Sequence, residues 1–318
     1  MYHGPIIDPH QHFWQPTRNP HPWLAKKAMI PFRYGDYSAI KRDYLPTDYQ
    51  QDAATHNVVA TVYMEAEWDP ASPIAESRYI HQVAKAYGLP NAVIGQAWLD
   101  RSDIHDVLEW QAAFPLMRSV RHKPGGASSV DEARAGQRSL MSDDTWRKGY
   151  AELEKYGLHF DLQTPWWHLD EACRLARDFP HTTLILNHTG LPADRSDAGL
   201  AGWRHAMAQL AEYENVAVKI SGLGERDHAW TVERNQQIVR DTLAMFGSGR
   251  CMFASNFPVD GLRVTFDTLY TGFKKMVINL PYDMQYRLFY LNALKYYRPK
   301  LTASGAPLRS SPSHHSAA

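Results

Sequence analysis

Cysteine is scarce in this sequence, and neither sign of charge is in excess. Cys173 and Cys251 are the two cysteines among 318 residues, and both lie inside apolar segments. We therefore expect small buried thiols in a reducing compartment and no disulfide framework. Lysine and arginine together number 34, as do aspartate and glutamate. This balance argues against the positive surface that binding to nucleic acid requires.

Long apolar runs and a secretory signal are also missing. No stretch approaches the roughly 18 consecutive apolar residues that a membrane span requires. The segment Met1–Asp8 lacks the basic start and the apolar run of a signal peptide. We therefore expect a cytoplasmic protein that acts on a small molecule, with neither a membrane nor a nucleic acid as its partner. The sequence leaves open whether the chain forms a homo-oligomer.

Short apolar segments recur along the chain, and each is followed by a stretch long enough for a helix. They are Pro5–His12, Val58–Glu67, Ala92–Asp100, Met117–Lys123, Leu158–Gln163, Thr182–His188, Asn215–Ser221 and Cys251–Pro258. Apolar runs that alternate with helices are typical of parallel strands joined by crossover helices. Eight strand–helix units in about 260 residues match a closed barrel better than an open sheet. We predict an α/β fold, a TIM-like (β/α)8 barrel formed as a single domain by residues 1–300.

Periodicity and composition assign the segments between the strands. Apolar residues at helical spacing predict a helix over His168–Phe179 and another between Ser142, the expected N-cap, and Gly157. The aromatic, proline-rich loop over residues 13–49 is expected to act as a lid. The loop Pro124–Leu140 is glycine-rich and cationic. Residues 301–318, which include His314 and His315, are expected to form a disordered tail outside the site.

Polar side chains collect where the predicted strands end, which in such a barrel is the edge that carries the chemistry. The first strand ends in Asp8, His10 and His12, which alternation places on one face. Two imidazoles that converge from one strand form either a metal chelate or a paired general acid and base. The remaining polar strand ends are Glu65, Glu67, Gln96, Asp100, Arg121, His122, Lys123, Asp161, Gln163, Asn187, His188, Lys219, Ser221, Ser255, Asn256 and Asp260.

Several of these residues have an alternative structural role. Arg121 and Lys123 are expected to bind an anionic substrate, but Glu65 could instead pair with either of them across the barrel mouth. Trp14 and Trp166 are predicted stacking walls, although the aromatic loop could also serve only as packing. The sequence contains no Walker motif and no Gly-x-Ser-x-Gly elbow, which argues against a phosphate cofactor and a serine hydrolase.

Five motifs in order resemble the amidohydrolase superfamily, in the lactonase branch that includes fuconolactonase and pyrone-dicarboxylate lactonase. The motifs are IIDPHQHFW, HFDLQTP, TTLILNHTGLP, VAVKISGL and MFASNFPVD, and the similarity runs from about Ile6 to Tyr297. The resemblance implies a distorted (β/α)8 barrel in which water attacks an ester-like or amide-like carbonyl, often with one divalent metal.

The same resemblance matches His10 and His12 to the first-strand pair of the family and His188 to its sixth-strand histidine. It also shows two departures. Asn256 stands where relatives usually carry an aspartate, and an amide cannot accept the proton of an attacking water. Gln163 stands where metal-rich relatives often present a histidine, and the fourth strand has no obvious bridging lysine, so a two-metal centre is not expected.

The leading prediction is a hydrolase that opens a lactone of a sugar acid or of an aromatic-catabolic acid. Two mechanisms remain open. In one, His10, His12 and either His188 or Glu65 hold a zinc or manganese ion, with Asn256 beside it. In the other no metal is present, and Glu65 or His188 is the base while Arg121, together with the His10/His12 pair, polarises the carbonyl. A non-oxidative decarboxylase or amide hydrolase on the same barrel, and a catalytically silent binding protein, are the alternative functions.

Overall fold

A computed structural model describes residues 1–25 and 29–301. The predicted tail lies, apart from its first residue, outside the described residues, and so do His314 and His315. Within the described ranges, none of the helices combines the length and the apolar character needed to cross a membrane.

Eight parallel strands form one sheet in which each strand pairs with the next along the chain. They are β1 (Ile6–Gln11), β2 (Val58–Met64), β3 (Ala92–Gln96), β4 (Met117–Arg121), β5 (His159–Leu162), β6 (Leu184–Leu186), β7 (Val216–Ile220) and β8 (Cys251–Phe253). All eight strands fall within the segments that the apolar pattern predicts, so the predicted barrel is confirmed.

The two ends of the sheet meet through the segment that follows β8. The backbone N–H of Asn256 donates to the carbonyl of His10 at 2.8 Å, and that of His12 donates to the carbonyl of Phe257 at 2.8 Å. Because the two first-strand histidines make these bonds with their own backbone, closure of the barrel fixes the backbone that carries them.

Helices surround the strands. They are α1 (Pro22–Ala25), α2 (Pro46–Asp52), α3 (Ala75–Tyr87), α4 (Ile104–Ala112), α5 (Val130–Arg134), α6 (Asp144–Lys155), α7 (Leu169–Asp178), α8 (Asp197–Ala211), α9 (Val232–Phe246), α10 (Phe266–Met276), α11 (Tyr282–Tyr286) and α12 (Asn292–Tyr297). Helix α7 confirms the helix that the spacing of apolar residues in His168–Phe179 predicts. Gly157 has a φ of 61°, as expected for the left-handed position after a helix.

The predicted N-cap of α6 is wrong by one residue. Asp143 is the cap, because its side chain accepts a hydrogen bond from the backbone N–H of Trp146 at 2.9 Å. Ser142 instead ends a short 3-10 turn, and its hydroxyl donates to Glu171. A serine and an aspartate side by side offer the same capping chemistry, so the pattern alone does not choose between them.

The barrel interior is apolar in its lower layers and also contains a buried ion pair. Apolar strand residues fill it, including Ile7, Val62, Met64, Ile94, Ile185 and Met252. Helix α12 closes the bottom, where the hydroxyl of Tyr297 donates to Asp161 at 2.9 Å. Asp161 also lies 2.7 Å from Lys219 Nζ, and both side chains are fully buried. Burial lowers the pKa of Lys219 to about 8.

Candidate active site

Three histidines from opposite parts of the chain meet at the carboxyl end of the barrel. The ring centroid of His10 lies 5.2 Å from that of His12 and 4.7 Å from that of His188. The side chains are 0%, 5% and 2% exposed, in that order. The structure therefore brings together the three imidazoles that the sequence singles out.

A bulge in β1 turns both first-strand histidines toward this group. The pairing of β1 with β2 shifts register between Asp8 and Gln11. Asp8, expected on the same face, instead accepts hydrogen bonds from Ser255 and from Tyr49 of the outer helix α2, the latter at 2.7 Å. The prediction of one shared face is wrong for Asp8, because simple alternation does not continue through a bulge.

Neighbouring polar groups orient two of the three rings. His12 Nδ1 donates to the carbonyl of Met64 at 2.9 Å, which leaves its Nε2 as the unprotonated nitrogen. His188 Nδ1 lies 2.9 Å from the hydroxyl of Ser221. His188 and the following Thr189 have φ values of 54° and 51°, a left-handed conformation that non-glycine residues rarely adopt outside functional sites.

His10 differs from its neighbours because neither of its ring nitrogens has a hydrogen-bond partner among the described residues. Buried polar atoms are nearly always paired, and an unpaired one costs about 1–3 kcal/mol. The two nitrogens of His10 are therefore free to bind a ligand, a metal ion or a water molecule.

Burial and nearby cations keep all three imidazoles neutral. Burial is the main cause that lowers the pKa of His10 well below its ordinary value, and Lys219 adds to it. Burial, assisted by Arg121, lowers the pKa of His12 to about 3. Burial, assisted by Arg33, also lowers the pKa of His188 strongly. Neutral imidazole is the form that can ligate a metal or accept a proton.

Arg121 and Glu65 form a buried ion pair beside the histidines, each 3% exposed. Arg121 Nε donates to the Glu65 carboxylate, and its Nη2 donates to the Glu65 carbonyl at 2.7 Å. Its Nη1 donates to Gln163 Oε1 at 3.0 Å. The second Glu65 oxygen accepts the backbone N–H of Glu67 at 2.8 Å. The pairing that the sequence allowed as an alternative role of Glu65 is therefore present.

Lys123 also has a carboxylate partner, since its Nζ pairs with Glu67 at the edge of the site. Of the cavity cations, Arg33 from the 13–49 loop was missed by the sequence analysis. Its Nη1 donates to the Gly222 carbonyl at 3.2 Å, and its Nη2 lies 3.9 Å from Asp260. The one sequence signal for Arg33 was its position in the aromatic loop. The composition of that loop does not show which of its cations reaches the cavity.

Asn256 is held by a carboxylate one helical turn further along the chain. Its Nδ2 donates to Asp260 Oδ1 at 2.8 Å, and its own φ is 55°. Asp260 also accepts from the hydroxyl of Tyr34 at 2.8 Å and from the backbone N–H of Gly222 at 3.0 Å. Burial raises the pKa of Asp260. Since Nδ2 is engaged, Oδ1 of Asn256 is the atom left to accept a hydrogen bond.

These groups surround a central cavity of about 360 Å³. Its walls include His12, Trp23, Phe32, Arg33, Arg121, Lys123, Gln163, His188 and Asn256. A space of this size lies within the range of small-molecule sites. Six of the predicted residues line the cavity. His10 and Glu65 do not line it, but His10 contacts His12 and His188, and Glu65 pairs with Arg121.

The two tryptophans predicted as stacking walls lie elsewhere. Trp14 is fully buried behind His12, and its Nε1 donates to the Arg42 carbonyl at 2.9 Å. Trp166 packs against Gly202 of α8 and lines a separate cavity. The wall residues are Trp23 and Phe32, because the 13–49 loop folds back over the strand ends and places its second tryptophan, rather than its first, at the cavity.

The donor chemistry of the three histidines fits zinc or manganese, but their donor atoms do not all lie within 4.8 Å of one another. Neutral imidazoles with free nitrogens and hydrogen-bonded partners are typical metal ligands. Within residues 1–25 and 29–301, however, the one group of three ligands whose donor atoms all lie within 4.8 Å is His105, Asp106 and Glu109 on the surface. Coordination at the central site would have to draw the three rings closer together.

Comparison with known proteins identifies the family of this chain. A model of the family described as Amidohydrolase matches residues 7–298. Protein y4mH of Sinorhizobium fredii is 37% identical over 92% of this chain and 98% of its own length. An L-fucono-1,5-lactonase of Burkholderia multivorans is 29% identical over 82% of this chain and 84% of its own.

Solved structures share the fold. The crystal structure of a Burkholderia multivorans amidohydrolase with bound zinc superimposes with a TM-score of 0.77 at 24% identity. The match covers 93% of this chain and 100% of that one. At this level of identity the likeness concerns the barrel architecture.

Proposed function

This chain belongs to the amidohydrolase family of hydrolases, and we propose that it opens a lactone of a sugar acid or of an aromatic-catabolic acid. The observation that carries the proposal is the convergence of His10, His12 and His188 as neutral, buried imidazoles, of which His12 and His188 line the central cavity. The similarity to proteins named as L-fucono-1,5-lactonases supports the choice of a cyclic ester.

His188 is the proposed general base when no metal takes part. Both carboxylate oxygens of Glu65 are engaged, one by Arg121 and one by the N–H of Glu67, so proton transfer to Glu65 would break a buried ion pair. His188 is neutral, lines the cavity, and has one nitrogen fixed by Ser221. A positioned neutral imidazole typically contributes about 10²–10⁴ in rate as a general base.

Arg121 is proposed to polarise the lactone carbonyl. A guanidinium carries five N–H groups, and the contacts with Glu65 and Gln163 use three of them. The remaining N–H groups are available at the cavity for a developing oxyanion. Asn256 is proposed to orient the attacking water through Oδ1, because its Nδ2 is bound by Asp260.

We also propose that the substrate or its product is anionic, with Arg33 and Lys123 beside the cavity as the attracting charges. The three histidines would hold one zinc or manganese ion if the enzyme uses a metal. Such an ion supplies a Lewis acid that lowers the pKa of water toward 7, which makes a strong carboxylate base less necessary.

Elemental analysis of the purified protein, followed by hydrolysis of aldonolactones and aromatic-pathway lactones with and without chelator, tests these proposals. We expect ring opening that His10→Ala lowers at least 10²-fold. Full activity in His10→Ala would refute the site assignment. Release of carbon dioxide, or cleavage of amides alone, would replace the lactonase by one of the alternative activities.

The silent binding protein is tested with Asn256→Asp. A protein that binds lactones but opens none of them, as wild type and as Asn256→Asp, would be a binding protein and not an enzyme. Turnover by the wild type excludes this alternative, whatever the variant does.

A further inference from the structure

A second cavity of about 300 Å³ adjoins the central one at the ends of β2, β3 and β4. We call it the lateral cavity, and its walls are Pro22, Trp23, Ile30, Glu65, Glu67, Trp68, Pro70, Gln96, Trp98, Arg121, His122 and Lys123. Trp23, Ile30, Glu67, Arg121 and Lys123 line both spaces. The two cavities are therefore direct neighbours.

Half of the residues that line the lateral cavity are apolar, and three of these are tryptophans. Trp98 is 40% exposed and stacks on His122, with ring centroids 5.4 Å apart and planes 8° apart. Trp68 is supported edge-on by His21 at 5.0 Å. Trp23 packs edge-on against Trp14 at 5.6 Å. Because these rings rest on other rings, the cavity is formed before any ligand binds, which lowers the cost of binding.

The polar side chains at its boundary already have partners within the protein, and the remaining N–H groups of Arg121 are the ones assigned above to the lactone oxyanion. Arg121 is paired with Glu65, and Lys123 is paired with Glu67. Gln96 donates its amide to the Trp68 carbonyl at 3.0 Å. A sugar ring carries a hydroxyl on most carbons and would need several of these groups, whereas an aromatic ring needs none. The walls therefore favour an aromatic occupant over a second sugar.

We propose that the substrate is a lactone carrying an aromatic ring, with the lactone in the central cavity and the uncharged aromatic ring in the lateral cavity against Trp98. This inference rests on the proposed lactonase function and names its substrate class. The size agrees, since a cavity of about 150 Å³ already accommodates benzene. Burial of the ring adds apolar area, and offset or edge contacts with tryptophan add further affinity.

Two lactones that differ only in a phenyl group test the proposal, namely δ-valerolactone and δ-phenyl-δ-valerolactone. We expect the wild type to have the higher kcat/KM for the phenyl compound, and Trp98→Ala to reduce the ratio of the two values about tenfold or more. Trp98→Phe, which retains a flat ring, should keep most of the preference. Trp110→Ala is the matched control, because Trp110 is 52% exposed on α4 and lines neither cavity.

A binding measurement separates this inference from the proposed function. Calorimetry with 3-phenylpropionate and with propionate reports on the lateral cavity without any turnover, and we expect tighter binding of the phenyl compound that Trp98→Ala weakens. If neither lactone is opened but this pattern appears, the lactonase proposal fails and the aromatic subsite stands. If lactones are opened while both the kcat/KM ratio and the binding are insensitive to Trp98→Ala, the subsite is refuted. Selective, Trp98-dependent hydrolysis of a disaccharide lactone instead of the phenyl lactone would overturn the aromatic assignment in favour of a sugar.

Discussion

A comparison of two fully buried histidines, His10 and His168, tests whether His10 is kept for function. His168 has a hydrogen-bond partner at each ring nitrogen, whereas His10 has none among the described residues. His168 Nδ1 lies 2.7 Å from Glu171, and its Nε2 accepts the backbone N–H of Ala127 at 2.9 Å. Both side chains are 0% exposed, so leucine at either position replaces a buried ring by an apolar group of similar size.

The expected changes in the free energy of unfolding have different signs. His10→Leu removes a buried polar group without a partner, and such a group costs about 1–3 kcal/mol, so stability should be retained or should rise by up to about 3 kcal/mol. His168→Leu removes the partner of the buried Glu171 carboxylate and of the Ala127 N–H, and should cost about 3–5 kcal/mol.

Urea denaturation of chelator-treated protein measures stability, and lactone hydrolysis measures function. His10→Leu should fold at least as stably as the wild type while its kcat/KM falls at least about 10²-fold. His168→Leu should be less stable but active wherever it is folded, because His168 lies outside the central cavity. A loss of more than about 2 kcal/mol in His10→Leu, together with retained activity, would refute the idea that His10 is kept for function at the expense of stability.

The remaining predictions concern acid and the buried ion pair. Burial lowers the pKa of His12 from 6.5 to about 3, so the unfolded chain binds a proton at this residue more readily than the folded chain does. The contribution of neutral His12 to the free energy of unfolding is therefore complete above pH 6.5 and is lost progressively toward pH 3. At pH 5 the free energy of unfolding should be lower by about 2 kcal/mol. Urea midpoints measured between pH 7 and 5 should show this decline, with a shallower slope in His12→Gln; equal slopes would contradict it. Arg121→Met alone should cost about 3–5 kcal/mol, because it leaves the Glu65 carboxylate unpaired, and the double variant with Glu65→Met should recover most of that loss. Additive losses in this double-mutant cycle would show that the pair is not coupled.

The order of the strands was predictable because it depends on local patterns. Apolar runs separated by helical periods occur within short windows of sequence, and a strand buried on both faces must be apolar throughout. The polar residues at strand ends were visible for the same reason. Once eight parallel strands close a barrel, residues as distant as His10 and His188 necessarily reach the same rim.

Other properties of the site depend on contacts between distant segments, and the sequence left them open or misplaced them. Whether Glu65 would act as a base or pair with Arg121 depends on the register between β2 and β4. Trp23, rather than Trp14, reaches the cavity because of the path of a long loop. No local pattern encodes that path.

The sequence by itself determined the architecture and the rim that carries the histidines, because hydrophobic period and chain order act over short distances. Only the tertiary structure decided that Asp8 turns away from those histidines, that Arg33 joins them, and that His10 has no hydrogen-bond partner among the described residues. Hydrogen bonding and desolvation depend on which atoms from remote segments are within about 3 Å of each other, and that is settled only when the barrel closes.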